Sequence, residues 1–187
     1  MGRQENALKA LATQTLRKCF ISYRHAVEDE VRQLIQAFGH GQDIPIAKGI
    51  GAITSGDIID SANDDYVKSQ IRTRYLRDTT VTSVLAGRET WRRKFVEREV
   101  TECLGNTSTA TSNGLLVITL PSAVGRYAKQ LPARVDDKVN GQDGYARWRK
   151  YRPSVSALVE PIEPAYEAGT SDAGLRDNAC ADWLCNS

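Results

Sequence analysis

Glu99 is the residue whose type and setting best suit chemistry. It lies in the run WRRKFVEREV, where Val96, Val100 and Cys103 recur at helical spacing. Glu99 flanks that apolar stripe, and Phe95 stands one turn before it on the same side. A carboxylate at such a border can be partly desolvated and still reach a cleft. The same spacing also suits an ordinary helix-surface glutamate. Glu97 points elsewhere on the wheel and is expected to be solvated. Arg88, Arg92, Arg93 and Lys94 gather at the entrance to this helix. Arginines beside helix N-terminal N–H groups suit a pyrophosphate, and a plain charged face is the alternative. Trp91, among them, either walls a pocket or anchors the loop. Asp57, Asp64 and Asp65 could touch sugar hydroxyls, although such residues more often make turns and helix caps.

Several chemistries are excluded. Gly49-Ile50-Gly51 lacks the rest of a dinucleotide fingerprint and the acidic residue that follows it. No P-loop lysine motif and no nucleophile elbow occurs. A phosphorelay receiver needs a strand-end aspartate, whereas the middle strand here ends in Ala86-Gly87. The four cysteines form no dense disulfide pattern, and with two histidines, His25 and His40, a zinc site is not expected. Cys19 and Cys103 sit in apolar runs and read as small buried hydrophobes, while Cys180 and Cys185 lie in a polar tail.

The elements that must position these residues follow from periodicity. Residues 3–16, with Leu8, Leu11 and Leu16, read as a helical lead-in. Residues 18–23, KCFISY, read as a buried strand. Val27, Val31, Leu34, Ile35 and Phe38 mark a helix face ended by Gly39. Residues 39–62 are glycine-rich and loop-like, with a short strand at 44–47. Asn63 is placed to cap a helix running to about Arg77, with Val67, Ile71 and Tyr75 spaced by four. A β-branched strand over 79–87 precedes the helix of Glu99, and the apolar run 114–121 is a third strand covered on both faces. Residues 122–152 read as a basic loop carrying Tyr127, Tyr145, Trp148 and Tyr151. A last helix is expected over 154–167, its second half weakened by Pro161 and Pro164. From Gly169 the composition suggests a poorly ordered tail.

Strands alternating with helices predict a parallel sheet flanked by helices. Such sheets place their sites at the carboxyl ends of strands, where the strand order reverses. Residues 22–25, the loop 39–57, residues 87–94 and the loop after Pro121 should therefore meet at one edge.

Length and composition fit this reading. The 187 residues suit one domain with extensions, and 41% hydrophobic with 26% charged residues is ordinary for a globular chain. A net charge of +2 gives no bulk electrostatic reason to expect nucleic acid or a membrane as partner. No apolar run reaches membrane-spanning length, and the N-terminus lacks the pattern of a signal peptide. Met1-Gly2 is followed by Asn at position 6, which does not suit myristoylation. A cytoplasmic location is expected.

The stretches KCFISYRH, TVTSVLAGRETWRRKFVEREV and GLLVITLP share a further property. Together they resemble the bacterial TIR-like family that includes ThsB of the Thoeris antiphage system. The most specific part is YVKSQIRTRYLRDTTVTSVLAGRETWRRKFVEREV. It is similar to the family's helix ending, T-V-T strand, G-x-E-T-W turn and F/W-V-x-x-E helix start. The likeness runs from about residue 18 to residue 168.

The resemblance implies an α/β, flavodoxin-like, three-layer TIR-type domain with a central parallel sheet over 18–168. A helical extension over 1–17 and a tail over 169–187 would flank it. It implies an NAD glycohydrolase or cyclase that breaks the nicotinamide–ribose bond and makes an ADP-ribose-derived, cyclic signal in antiviral defence. The family's catalytic glutamate falls on Glu99 through Phe95-Val96-x-x-Glu99-Val100. A carboxylate there would stabilise the oxocarbenium-like ribose or bond its hydroxyls. Arg98 stands where many relatives carry an aromatic.

The loop after the first strand borders the nucleotide in this family. Phe20, Ser22, Tyr23, Arg24, Asp57, Arg88 and Trp91 become the substrate-binding candidates, with the 49–57 loop. For Phe20, core packing is favoured over stacking on a base. His25 is a candidate proton shuttle, although capping or lining the loop suits it better. NAD enters as substrate, with no cofactor and no metal. Implied partners are other TIR copies, associating on activation, and a separate effector reached through the nucleotide signal.

Two other readings remain. One is a TIR adaptor acting only by TIR–TIR association. The other is a nucleoside-processing transferase with a similar carboxylate. Whether Glu99 lines a concave place or sits on a convex face separates enzyme from adaptor.

Overall fold

Short runs of β-branched and aromatic residues without breakers make the three central strands. They are β1 (Cys19–Tyr23), β3 (Val81–Ala86) and β4 (Gly114–Thr119), and every residue in them is buried. The computed structural model describes residues 17–23, 25–39, 46–47, 63–88, 90, 94–105, 113–123, 131, 133–140, 144–152, 157 and 159–171. A two-residue strand β2 (Ile46–Ala47) and a polar strand β5 (Arg147–Lys150) form the two edges. The order is β2-β1-β3-β4-β5 and every pair is parallel. The chain leaves β1 for one edge and then returns past it to β3. The order thus reverses between β1 and β3, where Ser22 lies opposite Val84 and Tyr23 opposite Leu85.

Strand pleating sorts the side chains into two cores. Phe20, Val84, Ala86, Leu115 and Val117 face one side and pack with Ile71, Val96, Val100, Cys103 and Leu104. Cys19, Ile21, Tyr23, Val81, Leu85, Leu116 and Ile118 face the other and pack with Val27, Val31, Leu34 and Ala165. Helices α1 (Glu28–Gly39) and α5 (Ile162–Ser171) supply the second side, while α2 (Asp64–Ile71), α3 (Lys94–Leu104) and α4 (Ala133–Asn140) supply the first. The result is the three-layer α/β arrangement expected. Cys19 and Cys103 are both buried.

Local signals explain most boundaries. Asn63 Oδ1 accepts the Tyr66 N–H at 3.1 Å, as a helix cap should. The helix after it ends at Ile71 and continues as a π-helical turn, Arg72–Leu76, rather than as α-helix to Arg77. Arg72 Nη2 reaches Glu102 Oε2 on α3 at 2.5 Å.

Three expectations need correction. Residues 122–152 are not all loop: they contain α4 and β5. Helix α4 shows only Val135 and Val139 as an apolar pair, and β5, RWRK, is an edge strand with long polar side chains. The weakening at Pro161 and Pro164 is also absent, because both fall at the start of α5. There backbone N–H groups lack partners in any helix, and the Pro161 carbonyl accepts the Ala165 N–H at 3.2 Å. Finally, α5 runs through buried Gly169 to Ser171, so the tail boundary expected at residue 169 falls inside it. Residues 1–16 and 172–187, with Cys180 and Cys185, lie outside the described residues.

Helix α5 lies on the start of β4 through two glycines. A Cβ on Gly114 would sit 2.0 Å from the Ala165 carbonyl oxygen, and one on Gly169 would sit 2.7 Å from the Gly114 nitrogen. Both obstacles are backbone and cannot swing aside. Gly114→Ala should therefore cost about 3 kcal/mol, lowering Tm by roughly 6–12 °C. Gly144 has φ +53° but open space around it. Gly144→Ala should cost only about 1 kcal/mol of backbone strain. Thermal melts of the two variants check the ranking, and equal losses would contradict it.

Candidate functional site

Ser22 and Glu99 meet between the sheet and α3. Pleating puts Ser22 on the same face as Phe20, next to the carboxyl end of β1. On α3, positions 96, 99, 100 and 103 form one helical stripe, so Glu99 lies within the apolar face rather than beside it. Glu99 is only 2% exposed and Ser22 is fully buried. The expected desolvation goes further than a place at the border of the stripe implied: three of the four stripe positions are apolar and pull the fourth inward. Buried as it is, Glu99 lies on no exposed face, convex or concave, among the described residues.

The Ser22 hydroxyl donates to Oε2 of Glu99. Among the described residues Oε1 carries no hydrogen bond. Burial pushes the Glu99 carboxyl up from the usual 4.5 to about 8, and the Ser22 bond opposes the rise. The group is therefore mostly a neutral acid at pH 7, able to donate one proton and to become a carboxylate beside a cation.

The other sequence candidates separate. Phe20 lies in the core beneath this pair, fully buried. Tyr23 points to the opposite face of β1 and packs with Val27 and Val31. Its hydroxyl is a buried polar atom with no hydrogen-bond partner among the described residues. Burial, and then the charge of Glu28, pushes its phenol up to about 12. Arg88 is exposed at the end of β3, and its N–H donates to Ser122 Oγ at 3.3 Å. Asp65 is exposed at the start of α2, and His25 opens a single 3-10 turn before α1. Arg24, Asp57, Trp91, Arg92, Arg93 and the 49–57 loop lie outside the described residues.

The loops at the carboxyl edge converge as the topology requires. The Gly87 N–H donates to Thr90 Oγ1 at 2.9 Å, and the Thr90 N–H returns to the Gly87 carbonyl at 3.3 Å. A Cβ on Gly87 would sit 2.5 Å from Val27 Cγ1. The Ser122 N–H donates to Glu30 Oε2 at 3.3 Å. The segments after β1, β3 and β4 thus interlock around Gly87. Sequence reasoning missed Thr90, Ser122 and Glu30 as rim residues. Thr90, three positions after a glycine at a strand end, carried the one usable signal.

Among the described residues no group of three His, Cys, Asp or Glu side chains could hold a metal ion, and no helix is long and apolar enough to cross a membrane.

A family profile, described as Thoeris protein ThsB, TIR-like domain, matches residues 20–124, more than half of the chain. The chain belongs to this family. The match spans β1 through β4, and every proposed site residue falls within it. No curated protein and no solved structure gives a significant match. The protein therefore carries a TIR domain of an antiphage defence family, on the fold that the resemblance implied.

The buried acid makes stability depend on pH. In the unfolded chain Glu99 ionises near 4.5, and in the folded domain near 8. Its contribution is fully present below 4.5, is lost as pH rises through that window, and is level above 8. Relative to wild type, Glu99→Gln should gain up to about 1.4 kcal/mol per pH unit across the window. Urea unfolding of both proteins at pH 5, 6.5 and 8 measures this. A constant difference at the three pH values would mean that Glu99 ionises normally in the fold.

Proposed function

We propose that this TIR domain is an NAD glycohydrolase or cyclase with Glu99 as its catalytic residue. The observation that carries this is the Glu99 carboxyl, desolvated and bonded by Ser22 beside the reversal point of a parallel sheet. Cleaving the nicotinamide–ribose bond sends its electron pair onto the departing nicotinamide and leaves positive charge on the ribose. A carboxylate held in a low-dielectric place stabilises that charge far better than one in water. Entry of the cationic nicotinamide ring favours loss of the Glu99 proton, since a nearby positive charge stabilises the anion.

The ribose cation is then captured by water, giving ADP-ribose, or by an atom of the same nucleotide, giving a cyclic signal. Arg88 and the neighbouring basic residues are assigned to the pyrophosphate. Arg24, Asp57 and Trp91 are assigned to the nucleotide, and Phe20 supports the site from the core beneath, while Tyr23, on the opposite face of β1, is left out of it. The domain works without cofactor or metal in the cytoplasm. Copies associate on activation, and the product reaches a separate effector.

Glu99→Gln tests the reading. The variant should fold and associate as wild type does, with NAD turnover down at least about a hundredfold. Glu167→Gln, an exposed change on α5, should leave turnover unaltered. Product analysis by mass, with and without phage-infected lysate, gives the rates. If wild type consumes no NAD under any condition while Glu99→Gln still associates and signals, the domain is an adaptor.

A further inference from the structure

Building on that reading, we propose that Ser22 is a positioning residue. Its hydroxyl holds Oε2 of Glu99, fixes the rotation of the carboxyl group and presents Oε1 to the ribose. Ser22 itself is fully buried, so it is badly placed to touch a nucleotide, whereas the resemblance made it a substrate-binding candidate. Its backbone is fixed by pairing with Val84 of β3. The sheet thus sets the position of Oγ, and Oγ sets the carboxyl. A free glutamate has three rotatable side-chain bonds. The terminal rotation needs a polar partner, and among the described residues Ser22 alone supplies one.

The direction of donation matters. A hydroxyl that donates to a carboxyl bonds the anion more strongly than the acid. Ser22 therefore eases ionisation of Glu99 as positive charge grows on the ribose. While Ser22 donates to Oε2, a proton on the acid sits on Oε1. Burial and this bond are the influences acting on Glu99 among the described groups. The Tyr23 phenol, on the opposite face of β1, senses the Glu99 charge, and Phe20, Val96, Val100 and Cys103 are uncharged neighbours on the same face.

The test uses the full chain with Ser22→Ala and Ser22→Cys, the second keeping a weak donor of similar size. Carbon-13 NMR follows the Glu99 carboxyl, assigned by its loss in E99Q, and kcat and KM for NAD are measured across pH. In S22A the Glu99 titration should move to higher pH, with kcat down roughly tenfold or more and KM within about twofold. The rising limb of kcat with pH should move the same way, and S22C should fall between S22A and wild type. A raised KM with unchanged kcat would place Ser22 against the substrate and overturn the proposal. An unmoved titration in S22A would overturn the Ser22–Glu99 link while leaving Glu99 catalysis standing. A titration that moves while E99Q turns over NAD at the wild-type rate would overturn the proposed reaction, and with it the part of Ser22 in catalysis.

Discussion

The constraint on which this structure turns is a carboxyl group placed where the fold needs an apolar side chain. A parallel sheet covered on both faces demands strands that are apolar throughout, and β1, β3 and β4 nearly comply. On α3 the inward stripe of Val96, Val100 and Cys103 is broken at one position by Glu99. Burying an ionised carboxylate there would cost several kcal/mol or more. The protein avoids that by keeping the group largely neutral and giving it one donor, Ser22.

The two ends of the sheet treat polar groups differently. At the amino end, Asn113 Nδ2 donates to Thr79 Oγ1 at 2.8 Å and Tyr145 Oη donates to the Asn113 carbonyl at 2.7 Å. The Asn113 N–H donates to the Cys103 carbonyl at 3.1 Å. This network joins the end of α3 to the starts of β4 and β5, and satisfied networks of this kind lock a single arrangement. At the carboxyl end, Tyr23 Oη and Glu99 Oε1 lack hydrogen bonds among the described residues. The end built for stability is saturated, and the end at the strand-order reversal keeps polar capacity in hand.

The central elements were legible in the sequence because their signals are local. FISY, VTSVLA and LLVIT are breaker-free runs that only a doubly covered sheet accommodates, and Asn63 announces its helix by capping chemistry. What stayed hidden depends on neighbours. RWRK becomes a strand because β4 offers it an edge, and its Trp148 Nε1–H finds Thr119 Oγ1 at 2.9 Å across that pairing. Pro161 and Pro164 look like breakers until the helix start is known. For the site, residue type pointed to Glu99, but not to its partner. Ser22 lies 77 positions away, and only the pleat of β1 and the rotation of α3 bring the two together.

That hidden pairing bears on enzyme against adaptor. At the Glu99 position a leucine would fill the stripe and add stability, and a buried acid replaced by a well-packed apolar group is often a gain. Foldable sequences agree with their structure at each level, and violations cluster where chemistry is done. The violation here lies at a helix position whose carboxyl meets a strand hydroxyl beside the order reversal, where α/β sheets hold their ligands. A helix designed only for packing or docking has no use for an acid there. Under the proposed reaction, a group that must develop negative charge next to a forming cation does.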